Sequence, residues 1–243
     1  MPFATISEPM RIQQRGDRLR LMERMPTGIP GLDKMIEGGL PRPSLTLLAG
    51  EAGAGKTTFC TQFLCKGAEL GQRGLYLRAF GGPPDLLINY ASCFEFVKST
   101  YFGQEICYME LEEMMERACQ WQDFLELLKS RIESIQPTRM VMEDLSLLED
   151  ILKDEYWRFL LKLSHLIKDN SIVALLAEDA LPGAAYLTHI AQVADGIILL
   201  QNEEMNFTRR RSLEVIKMSG TSHNIGKHAV DISAKGLIVY PGL

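Results

Sequence analysis

The chain is predicted to adopt an α/β fold: a mostly parallel central sheet with helices on both faces and a C-terminal antiparallel β extension. Two observations lead to this class. Short apolar runs alternate with segments of helical period up to about residue 200, the order that builds a parallel sheet covered on both sides. Beyond that point, RSLEVIKM, HAVDIS and GLIVYP follow one another with turn signals between them and no helical segment, which adds antiparallel strands.

The elements follow in order. The first 22 residues are polar, lack clear period and contain Pro and Gly, so residues 1–22 are expected to form a flexible arm and 23–243 a single domain. MPTGIPGLDKMIEGGLPRPS is rich in Gly and Pro, with a short helix expected over 30–36. SLTLLAG (44–50) is apolar, ends in glycine and reads as a buried strand. KTTFCTQFLCKGAEL (56–70) sets Phe59, Phe63 and Leu64 on one helical face. GLYLRAF (74–80) reads as a second strand, and PPDLLINYASCF opens with prolines suited to a helix start. WQDFLELLKSRIESI (121–135) and EYWRFLLKLSHLIKD (155–169) are amphipathic helices, separated by the apolar run TRMVMEDLS and followed by SIVALLAED. Both runs read as strands ending in acids. A short helix near 186–192 and a strand, DGIILLQN, complete the alternating part. No repeat of solenoid length and no low-complexity tract is present.

One stretch carries chemistry. Gly50-Glu51-Ala52-Gly53-Ala54-Gly55-Lys56-Thr57-Thr58 matches G-x-x-x-x-G-K-[ST] between a predicted strand and a predicted helix. Its glycines let the backbone curl so that successive N–H groups face phosphate oxygens, and the helix that follows presents its positive end to them. Lys56 is expected to reach the β- and γ-phosphates and the Thr57 hydroxyl to ligate Mg²⁺. A carboxylate at the end of a nearby strand should complete the metal site, and Glu143 and Asp144 are the candidates.

The segment MPTGIPGLDKMIEGGLPRPSLTLLAGEAGAGKTTFCTQFL resembles the start of a KaiC domain, in the RecA-like branch of P-loop ATPases. RRRSLEVIKMSGTSHNIGKHAVDISAKGLIVYP resembles the end of the same domain. The resemblance implies a RecA-like three-layer sandwich that binds ATP with Mg²⁺, with nucleotide held between neighbouring subunits of a homo-oligomer, often a hexamer. It further implies that the segment IKMSGTSH reaches a neighbour's nucleotide, through Lys217, Met218 and His223.

Where the family typically has two adjacent glutamates that act on the attacking water, this chain has Gly81 and Gly82. The family's Lys-x-Arg-Gly appears as Lys217-Met218-Ser219-Gly220, and an acid expected before the last hairpin turn appears as Ala234. The usual Walker B aspartate falls on Glu143. Losing an interface cation of this kind costs on the order of 10³-fold in rate. Glu178 and Asp179, at the end of SIVALLAED, are candidate substitute bases, and Glu51 is a further one. The expectation is therefore an ATP-binding regulatory or assembly protein with slow or absent hydrolysis, acting on a regulatory protein partner that the sequence leaves open. The alternatives are an active oligomeric ATPase with a displaced carboxylate and a recombinase-like DNA-binding protein.

Composition bounds these readings. The 243 residues carry a formal charge of -5, which counts against a dedicated nucleic-acid binder. Basic groups remain at Arg11, Arg15, Arg18, Arg20 and Arg24 and at Arg209-Arg210-Arg211, read as solvated or subunit-contacting surface. No apolar run approaches the roughly 20 residues that span a bilayer, so membrane insertion is not expected. The 5 cysteines are scattered without a CxxC pair, and the first residues lack an apolar signal core. Reduced thiols and a cytoplasmic location are expected.

Overall fold

A computed structural model describes residues 22–79, 84–111, 113–114, 118, 120–145, 147–180, 188–205 and 208–242. The expected N-terminal arm, apart from Met22, and the turn at 80–83 with Gly81 and Gly82 lie outside the described residues.

Strands β1 (Glu23–Met25) and β2 (Leu40–Arg42) form a small antiparallel sheet around the short helix α1 (Leu32–Met35). Asp33 ties this segment down: its Oδ1 accepts from the Thr27 backbone N–H at 2.8 Å and from the Thr27 hydroxyl at 2.7 Å. The central sheet contains β3 (Ser44–Gly50), β4 (Gly74–Arg78), β5 (Ile106–Glu110), β6 (Arg139–Glu143), β7 (Val173–Asp179), β8 (Gly196–Met205), β9 (Thr208–Met218), β10 (Lys227–Ser233) and β11 (Gly236–Tyr240). Its order is β11-β10-β9-β8-β3-β7-β6-β4-β5. From β8 to β5 all neighbours are parallel, and from β8 to β11 they are antiparallel. The predicted class is therefore the observed one.

Two apolar layers sandwich the sheet. Alternate strand residues such as Leu48, Tyr76, Val141 and Leu175 join α1, α2 (Lys56–Glu69) and α3 (Pro84–Ala91) on one face. Their neighbours Leu47, Leu77, Met142 and Leu176 meet α4 (Trp121–Ile135), α5 (Leu147–Leu152), α6 (Tyr156–Asp169) and α7 (His189–Val193) on the other. A period of two along each strand thus decides which residues can reach which helix.

The helices form for local reasons. In α6, Tyr156, Phe159, Leu160, Leu163 and Ile167 are buried at spacings of one helical stripe. Gln120 and Asp123 form a reciprocal cap at the start of α4, and Gln136, at φ 52°, turns the chain out of it. Beneath α2, the Arg139 side chain is fully buried. Its Nε donates to Gln72 Oε1 at 2.8 Å, and its Nη1 donates to the carbonyls of Pro26 at 2.8 Å and Phe63 at 2.9 Å. The guanidinium lies 4.6 Å from the Phe63 ring centre. Burial holds its pKa down, to about 10.

Candidate functional site

The parallel strands deliver their carboxyl ends to one edge of the sheet, and the loop GEAGAGKTT joins β3 to α2 at that edge. Gly53 and Gly55 hold φ of 77° and 107°, a region that other residues rarely adopt. A Cβ at Gly55 would also sit 2.6 Å from Ile232 Cδ1 on β10, so the C-terminal hairpin packs directly against the loop. Ala52 and Gly53 are exposed, and Glu51, Gly55, Thr57 and Thr58 are half-buried. Lys56 opens the 14-residue helix α2, whose first turn has no acidic residue to offset its positive end. The Lys56 ammonium folds back across the loop and donates to the carbonyls of Gly50 and Glu51, each at 3.0 Å, and to Asp179 Oδ1 at 2.5 Å.

Glu143 ends β6 on the α2 face and is 5% exposed. Its Oε2 lies 3.1 Å from Nε of Arg78, the residue level with it on β4. The hydroxyls of Tyr76 and Thr57 favour the charged form of the carboxyl, and among the described residues Oε1 has no hydrogen-bond partner. Burial raises the Glu143 pKa, against the opposing pull of Arg78. Thr57 and Glu143 are thus brought together, as the expected metal site requires. A hydroxyl and a buried carboxylate with an oxygen to spare are hard donors that suit Mg²⁺, with water and phosphate as the remaining ligands. A magnesium ion there would neutralise phosphate charge. Asp144 follows at φ 61°, its backbone N–H bonded to the Ala177 carbonyl at 3.0 Å, and burial raises its carboxyl pKa too.

The two acids of β7 part company. Alternation sends Asp179 to the α2 face, where it is level with Gly50 and meets Lys56. Glu178 is buried on the other face, where its charge is felt by Tyr156 of α6. Of these two candidate bases, Asp179 is the one beside the loop.

The segment expected to address a neighbour stands at the opposite end of the sheet. Met218 is level with Gly196, and Gly196 with Thr46, four residues upstream of Gly50. At roughly 3.3 Å per residue this is about 13 Å along the strands from the loop. Lys217 donates to the Ala194 carbonyl at 2.5 Å. The Met218 side chain is committed to this chain's own core, which leaves its backbone, not its thioether, for any contact with another subunit. His223 is half-buried in a turn held by Arg24, which bonds the Gly220 carbonyl, the Thr221 hydroxyl and Glu37, and by the Asn224 N–H bonded to the Met35 carbonyl.

Arg78 and Tyr76 are the site residues that sequence reasoning missed. The available signal was a charge two places after a tyrosine in the apolar run GLYLRAF, on the parity that faces α2. The basic run of β9 is offset locally: Arg209 and Arg210 stand opposite Glu204 and Glu203 on β8. No helix among the described residues is long and apolar enough to cross a membrane.

The fold and the loop together define a RecA-like P-loop nucleotide-binding protein. Residues 25–243 match the family model described as "ATPase: KaiC", and the chain belongs to that family. It is 30% identical over 236 residues to a UPF0273 protein of Pyrococcus horikoshii, covering 91% of this chain and 95% of that one. It is 27% identical over 241 residues to the circadian clock oscillator protein KaiC of a Picosynechococcus species, covering 95% of this chain but 44% of that protein. The crystal structure of a KaiC-like protein from Pyrococcus horikoshii superposes with a TM-score of 0.78 at 28% identity, over 91% of this chain and 100% of that one.

Proposed function

We propose that this chain binds ATP with Mg²⁺ and uses the bound nucleotide to govern assembly of a homo-oligomer, a hexamer being the family's common form, with slow or absent hydrolysis. The observation that carries this reading is the split within the site. Lys56, Thr57 and Glu143 converge as binding requires, while two acids that face the loop are already engaged, Glu143 by Arg78 and Asp179 by Lys56. Glycines at 81 and 82 and serine at 219, where the family typically has glutamates and an arginine, support the same conclusion.

Lys217 is turned to the Ala194 carbonyl and stands level with Leu47, which supports reading a nucleotide contact by it or by His223 as one made to a second subunit. A ligand bound at such a seam favours the assembled state. The test is turnover by the purified chain with ATP and Mg²⁺, alongside sedimentation with and without nucleotide. Turnover near about 1 per second or above, or a sedimentation profile indifferent to ATP, overturns the proposal.

A second reading has one observation in its favour. Asp179 is on the loop's face, where the γ-phosphate would meet Lys56, so it is placed to act as a displaced base. Turnover that is present in the wild type and lost in Asp179→Asn would establish it.

A further inference from the structure

β4 ends in a cation. Arg78 stands level with Glu143, on the α2 face, with its side chain 23% exposed and its Nε 3.1 Å from Glu143 Oε2. Its charge also bears on Asp144 and on the buried Cys60 and Tyr76. Both partners sit on adjacent rigid strands, and the pair is largely withdrawn from solvent, so salt screens it little.

In a P-loop site the strand carboxylate and the nucleotide's phosphates are both negative. The divalent ion lies between them, and without it the two repel. Here the carboxylate is compensated by a cation of the chain itself. The same cation opposes the arrival of a divalent ion at Glu143. Both effects act in one direction: they lower the advantage that the metal gives to phosphate binding. Lys56 and the backbone of the loop meanwhile bind phosphate with or without it.

We propose that Arg78 acts as a built-in counter-cation for Glu143, so that this chain binds nucleoside triphosphate with only a weak dependence on Mg²⁺. The proposal rests on the nucleotide reading above and assigns its metal requirement.

The experiment is a titration of the whole chain with a fluorescent ATP analogue, in Mg²⁺ and in EDTA at matched ionic strength. The wild-type Kd is expected to differ between the two by less than about threefold, because the carboxylate is neutralised in both. In Arg78→Gln the EDTA value should weaken by about tenfold or more, as the bare Glu143 charge meets the phosphates. Arg78→Lys keeps a cation and should keep the small wild-type ratio. A wild type that loses about tenfold or more on chelation overturns the proposal, by the same reasoning about charge. So does a folded Arg78→Gln with the wild-type ratio, or a folded Arg78→Lys with a large one. Should Arg78→Gln fail to fold, the wild-type ratio and Arg78→Lys decide. Absence of binding in both solutions defeats the nucleotide reading itself and the proposal with it. Binding with strong metal dependence defeats the proposal alone.

Discussion

The Lys56 ammonium, at the start of α2, and the Asp179 carboxylate, at the end of β7, are joined at 2.5 Å across the mouth of the phosphate loop. Any anion that binds the loop through Lys56 must compete with this carboxylate.

Replacing either partner should therefore move affinity in opposite directions. Lys56→Ala removes the charged donor and should weaken ATP binding on the order of 10²-fold. Asp179→Asn removes the competitor. Because that carboxylate is 68% exposed, the gain is modest, roughly two- to fivefold tighter. Fluorescence titration of both variants checks the pair. An Asp179→Asn chain that binds more weakly would contradict the competition.

Restoring an acid at the turn after β4 tests the hydrolysis deficit. If binding is intact and only a base is missing, Gly81→Glu or Gly82→Glu should raise turnover, on the order of 10²-fold for a well-placed base. No change in either variant points to Ser219, in the position of the interface cation, as the limiting residue. Steady-state phosphate release at saturating ATP is the measurement.

The buried Glu143 should leave a mark on stability. Burial raises its pKa in the folded chain above the ordinary 4.5. The folded state thus holds this proton more tightly than the unfolded one. The contribution is complete below 4.5 and is lost as pH rises through the raised value. Glu143→Gln lacks this loss. Urea unfolding from about pH 4 to about pH 7 should show the variant gaining on the wild type as pH rises. A constant difference would contradict the assignment.

Arg139 is held by neutral partners, and these are left unsatisfied when it goes. Arg139→Ala should lose about 3–5 kcal/mol in denaturant unfolding, in the range for a broken buried charged network. Arg139→Lys should also lose stability, because one ammonium cannot serve Gln72, Pro26 and Phe63 in the geometry of a planar fork.

His223 offers a test of the seam. On the interface reading, His223→Ala weakens ATP binding by about threefold to tenfold at protein concentrations where subunits associate. It leaves binding unchanged in dilute, dissociated samples. Equal loss at both concentrations would show that the residue acts within its own chain.

Much of this arrangement was legible in the residues. The runs at 44–50, 56–70 and 121–135 became β3, α2 and α4 because buried periodicity leaves few alternatives. β5 was not read: ICYME is mostly half-buried, at the edge of the sheet, and carries no clean alternation of apolar and polar residues. β1 and β2, at 3 residues each, are too short to show a period. The face of each acid was a matter of parity relative to α2. The sequence could not rank Glu178 against Asp179 until that helix had been placed on one side. The family resemblance brought Met218 to the candidate list, and its own core claims the side chain.

One strand joins the turn that carries His223 to the phosphate loop. β10 begins at Lys227, just beyond the turn that carries His223, and by Ile232 it rests against Gly55 of the loop. Its 7 residues cover about 23 Å of extended backbone, paired with β9 over 227–230 and with β11 over 229–233. On the interface reading, one end of this strut touches the chain's own nucleotide and the other end addresses the nucleotide next door. On that reading, a shift of the loop on filling would tilt the far turn, and occupancy of one nucleotide site would be felt at the adjacent one through this strand.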